Sequence, residues 1–82
     1  MHKDLLRRKA TAAEWEAEHL LEGVPFGYCN REWELLKAKM EPGDEIWFWS
    51  TDEESWKQMM GWEGMALVRH GEIIDFFVTA MN

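Results

Sequence analysis

The segment Glu45–Ser50 constrains the fold more than any other, because Ile46 and Phe48 alternate with Trp47 and Trp49. Successive side chains of a strand point to opposite sides, so a strand here is apolar on both faces. It must lie centrally in a sheet, or at an edge covered by a partner. Only 82 residues are available to cover it. A chain of this length supports one core and buries about 60–65% of the surface its unfolded form exposes. Large side chains must then supply much of the stability, and six Trp, four Phe and six Met are present. Each aromatic can bury about 150–250 Å². Six Trp exceed what one small core hides, so one or two are expected in a groove or at an interface.

Turn residues punctuate the remainder. Val24-Pro25-Phe26-Gly27, Pro42-Gly43-Asp44 and the pair Gly61 and Gly64 are the breaks. Residues 3–22 read as a first helix, with Leu6, Ala10, Ala13, Ala17, Leu20 and Leu21 on one face and Gly23 then Pro25 as stop signals. Thr11 with Glu14 offers an alternative capping-box start, which would leave residues 1–10 as a basic helical extension or loose arm. On either reading Trp15 and His19 lie opposite the alanine stripe, as candidate contact residues. Residues 31–41 read as a second helix with Asn30 as N-cap and Trp33, Leu36 and Met40 inward. Thr51 with Glu54 suggests a second capping box and a short helix over 52–60, with Trp56, Met59 and Met60 inward. Met65–Arg69 and Glu72–Thr79 read as a hairpin turning at His70-Gly71, with Arg69 and Glu72 facing each other. The expectation is one α+β domain over 1–82, ordered ααβαββ, with a three-stranded antiparallel sheet and its helices on one face.

The motifs Gly43-Asp44-Glu45-Ile46-Trp47-Phe48-Trp49-Ser50, Glu54-Ser55-Trp56, Gly61 with Gly64, and Leu67–Ile73 cover roughly the last half of the chain. In these the chain resembles small uncharacterised bacterial proteins with a GDE-W-x-x-S…SW…GxxG…LVRxGE pattern. The resemblance implies a bacterial or phage origin and a compact fold, and brings no catalytic residue with it.

Catalytic signatures were sought in the side chains that carry chemistry. Cys29 precedes a predicted helix N-terminus, where the helix dipole can lower a thiol pKa. A base would have to come from His70 with Asp75 or His19 with a nearby Glu, and neither spacing matches a nucleophile signature. The ordinary reading of Cys29 is structural. His2, His19 and His70 are scattered, which argues against a metal site. The acidic clusters Asp44/Glu45 and Asp52/Glu53/Glu54 sit at a turn and a helix start, where carboxylates serve capping. Gly61–Gly64 lacks the Lys of a phosphate loop. No cofactor is expected.

Sixteen acidic against nine basic residues give −7. The first ten residues carry +3, leaving −10 over residues 11–82. Such a surface argues against direct nucleic-acid binding. With one cysteine, no intramolecular disulfide can form, and no apolar run reaches membrane-spanning length. Cytoplasmic location is the expectation, and Met1, with no leader-like segment after it, reads as the start of an entire small protein. The function expected is a non-enzymatic protein-interaction or regulatory module, self-associating or binding another protein. Trp15, His19, Trp47, Trp49 and Trp62 are its candidate partner-binding residues. The alternatives are an acidic nucleic-acid mimic that blocks a basic protein, and a small-ligand binder or thiol enzyme at Cys29.

Overall fold

The computed structural model describes residues 1–82. In chain order the elements are β1 (Leu6–Ala10), α1 (Ala12–Glu18), β2 (Leu20–Leu21), β3 (Val24–Pro25), α2 (Asn30–Ala38), β4 (Glu45–Ser50), α3 (Glu53–Lys57), β5 (Trp62–Arg69) and β6 (Glu72–Met81). The main sheet has four antiparallel strands in the order β1-β4-β5-β6, and β2 pairs with β3 in a separate two-stranded ribbon. The class is α+β with antiparallel sheets, as expected, but neither the three-stranded sheet nor the ααβαββ order holds.

The added strand is β1. Residues 1–10 form neither a helical extension nor a loose arm: Lys3–Leu5 is a single 3-10 turn capped by His2, and Leu6–Ala10 pairs with β4, Ala10 opposite Ile46 and Lys9 opposite Trp47. A strand apolar on both faces needs a neighbour on each side, and the N-terminal segment supplies the second. The Thr11 capping box is the true start of α1: Glu14 N donates to Thr11 Oγ1 at 3.2 Å and Thr11 N to Glu14 Oε1 at 2.9 Å. The helix ends at Glu18, and Leu20 and Leu21 enter the ribbon instead, whose turn places Glu22 and Gly23 at positive φ.

Other boundaries follow the sequence more closely. α2 begins at Asn30, whose side chain donates to Pro25 O at 3.0 Å instead of capping the helix. β4 occupies the residues expected. At α3 the cap is Asp52, accepting from Ser55 N at 2.9 Å, while Thr51 Oγ1 accepts from Trp62 N at 3.1 Å. The hairpin turns at His70 and Gly71, both at positive φ. Arg69 does not neutralise Glu72. It forks onto Asp44 at 2.9 and 2.8 Å, holding that carboxyl down to about 2, with the Arg69 hydrogen bonds the main cause.

Register divides the sheet into two faces. Ile46 and Phe48, Met65 and Leu67, and Phe77 share the inner face, where Trp15 of α1, Trp33 and Leu36 of α2, and Phe26 and Cys29 complete the core. α3 reaches the inner-row positions Ser50 and Gly61 through Trp56, which donates to Ser50 Oγ at 3.1 Å. All three helices therefore lie on one side. The Cα extents of 37 × 34 × 17 Å fit two layers.

Gly64 shows how tightly the hairpin closes. β6 carries an extra residue opposite Glu63 and Gly64, and a Cβ at 64 would overlap the Phe77 carbonyl oxygen.

Candidate interaction surfaces

The indole N–H groups sort the tryptophans into core and surface. Trp15 donates to Ile46 O at 3.0 Å, Trp33 to Glu16 Oε2 at 2.7 Å, Trp47 to Glu45 Oε1 at 3.0 Å, Trp49 to Met65 O at 3.1 Å and Trp56 to Ser50 Oγ. Trp62 alone donates to no group of the chain, and it is 45% exposed. Trp15, expected as a contact residue, is 1% exposed and centres α1 on the sheet. The alanine stripe thought to face inward is outside, with Ala13 and Ala17 exposed. A Trp buries far more apolar area than two alanine methyls, so its face wins. Trp49 is also withdrawn from direct contact, at 3% exposure. Met59 and Met60, expected inside, are exposed.

What the tryptophans left visible belongs to the outer face of the sheet. By alternation, Leu6, Trp47, Trp49, Trp62, Ala66, Val68, Phe76, Val78 and Met81 share that face. Trp49 lies edge-on to Phe76 with centroids 5.9 Å apart. Phe76 is 45% exposed, and Met81 is exposed beside Trp62. Phe76 and Met81 were not singled out from the sequence. Lys9 and Glu45, at the β1 and β4 side of the face, bind each other at 2.8 Å. Glu45 is held below the usual carboxylate range, first by Lys9 and then by the Trp47 N–H.

A second surface surrounds the β2–β3 ribbon. A cleft of about 290 Å³ lies between it and the end of β6, with His19, Phe26 and Cys29 among its lining and Glu18 and Glu63 beside them. His19 stacks on Phe26 at 4.4 Å, and its Nδ1 lies 3.0 Å from Trp15 O. A neutral ring donating there keeps Nε2 as an acceptor. Leu20, Leu21 and Tyr28 form the exposed rim of the cleft, Tyr28 at 87% exposure, and Val24 is exposed beside them. These residues were missed because the segment read as the end of a helix and a turn.

Cys29 lines the same cleft, yet its thiol is pushed up by burial, with Glu32 adding to the effect, opposite to the helix-dipole expectation. Its Sγ lies 3.8 Å from Val78 O. His70 and Asp75 are apart from it: His70 is in the hairpin turn, and Asp75 takes Lys39 Nζ at 2.9 Å.

The carboxylates are largely engaged within the chain. Glu16 accepts from Lys37 at 2.6 Å as well as from Trp33, and Glu18 accepts two Arg8 hydrogen bonds. Arg8 in turn lies 4.6 Å above the Trp15 ring. No helix is long and apolar enough to cross a membrane. No family model, curated protein or solved structure matches the chain.

Proposed function

We propose that this chain is a non-enzymatic protein-interaction module that self-associates through the outer face of its sheet. The observation that carries the reading is the group of exposed apolar side chains Trp62, Phe76 and Met81 on the sheet face opposite all three helices, ranged around the buried Trp49, Ala66 and Val68. Charge supports a second copy as the occupant. Two chains of −7 repel wherever their acidic sides meet, but on this face Lys9 and Glu45 cancel. Stacked sheets pack about 10 Å apart with side chains interdigitating.

Four strands of about six residues give a face roughly 20 Å square. With side-chain relief this approaches the low end of specific interfaces, about 600 Å² per partner. A weak, concentration-dependent dimer is the expected state. Light scattering over a concentration series tests it. Phe76→Glu and Trp62→Glu should each shift the equilibrium towards monomer without altering far-UV circular dichroism. A strict monomer throughout, or a dimer indifferent to both substitutions, refutes the reading.

A further inference from the structure

Three shallow hollows meet at Tyr28. One is the cleft containing His19 and Cys29, a second is shared with Leu21, Glu22 and Val24, and a third with Thr79, Ala80 and Met81. The lining of these hollows includes Glu18, Glu22 and Glu63 and no Lys or Arg. Glu18 is already satisfied by Arg8, whereas Glu22 and Glu63 form no ion pair within the chain. The patch is thus apolar at its centre and carries uncompensated negative charge at its edge, unlike the neutral sheet face.

We infer that this patch is a docking site for an apolar and basic peptide segment of another protein, laid across Tyr28. The apolar side chains of the segment enter the hollows on either side of the tyrosine ring, and its Lys or Arg residues meet Glu22 and Glu63. Charge complementarity selects this occupant. A second copy meeting this patch with its own would bring the same unpaired carboxylates, and like charge at close range disfavours it. A small molecule is a poorer fit. The main cleft is at or below the usual size of ligand pockets, about 300–1,000 Å³, and would leave Val24 and Met81 uncovered. Tyr is a frequent anchor of such contacts, because its ring is rigid and offers both apolar area and a hydroxyl. Here the hydroxyl makes only a long 3.5 Å contact with Thr79 O, leaving it able to re-pair with an incoming segment.

The patch meets the outer face at Val78 and Met81 but centres on Tyr28, His19 and Glu22, which belong to the ribbon side, so Tyr28→Ala separates its test from that of self-association. The probe is a short synthetic peptide of alternating leucine and lysine, titrated into the isotope-labelled chain and followed by amide and side-chain chemical shifts. Saturable shifts are expected at His19, Leu21, Tyr28 and Ala80, weakening as salt is raised. Replacing the peptide's lysines by glutamate, or its leucines by serine, should each weaken binding about tenfold or more. Tyr28→Ala should weaken it several-fold. The exposure of Tyr28 means the variant keeps the wild-type fold, which circular dichroism checks. Phe76→Ala, which lines none of the three hollows, should leave binding unchanged. The inference is overturned by an absence of saturable shifts at these residues, by equal binding of the serine peptide, or by shifts confined to the sheet face. Shifts that track protein concentration instead of peptide would assign the patch to a second copy and overturn it equally.

Discussion

Replacing Trp15 by alanine should remove a large part of the domain's stability, while the same change at Trp62 should leave it almost untouched. Trp15 is fully enclosed, donates to Ile46 O and lies beneath Arg8. Truncating a buried Trp costs about 3–5 kcal/mol through lost burial and the cavity left behind. Losing the indole donor adds to this wherever Ile46 O is not re-solvated. An 82-residue domain has about 4–12 kcal/mol in all. The loss is therefore a large fraction of the total, and should lower the melting temperature by about 12 °C or more. Trp62 is nearly half exposed and its N–H is unpaired, so Trp62→Ala should stay within about 0.5 kcal/mol of wild type. Urea unfolding followed by circular dichroism measures both, with an unchanged slope confirming that stability alone has moved. A Trp15→Ala variant within about 1 kcal/mol of wild type would refute the assignment of Trp15 to the core. The contrast also fixes which substitution can probe binding: a partner lost on truncating Trp15 would report unfolding, whereas one lost on truncating Trp62 reports contact.

Two further predictions concern the hairpin and its charged anchor. Gly64→Ala should cost more than about 2 kcal/mol, because the new Cβ meets backbone and not a yielding side chain, and thermal denaturation should show it. Asp44 has a depressed pKa in the folded state, so its contribution is complete above the unfolded value of about 4 and is lost as pH falls towards about 2. Stability measured across that window should fall less steeply in Arg69→Met than in wild type, at the cost of lower stability near neutral pH.

The parts of the fold legible in the sequence were those set by local chemistry. β4 was bounded by a Pro-Gly turn and by its own alternation, and α2 by the spacing of Trp33, Leu36 and Met40. The His70-Gly71 turn was similarly local. β1 was not, because Leu6 and Ala10 fit a helical stripe, whereas in the strand a bulge at Arg7 puts Leu6 opposite Trp49 and Ala10 opposite Ile46 on different faces, a pattern that only the distant edge of β4 dictates. The fate of Trp15 did not depend on where the helix begins: the stripe of small residues pointed one way, and the single large indole on the other face outweighs it in burial. For the outer surface the materials were present: Trp47 and Trp49 lie opposite Ile46 and Phe48, Ile74, Phe76 and Val78 alternate with Asp75 and Phe77, and helices were expected on one side only. A sheet apolar on both sides but covered on one leaves a bare face, and Phe76 belongs to it. The surface at Tyr28 gave no comparable signal, because it is assembled from a ribbon turn and a strand end about 50 residues apart in sequence, brought together only by the tertiary fold.

The pairing of β1 with β4 also makes the N-terminal residues a guard against misassembly. β4, β5 and β6 are neighbours in the sheet with only the short α3 interposed between the first two, whereas β1 must return across more than 30 residues to reach Trp47 and Trp49. Until it arrives, β4 is an open edge with aromatic side chains on both faces, the kind of template on which strands from other chains add. Once seated, β1 presents Arg7 in a bulge, with its guanidinium on Ser50 O, and Arg8 and Lys9 along a charged rim. The basic charge at the start of an otherwise acidic chain thus closes the sheet with the edge least inviting to a further strand.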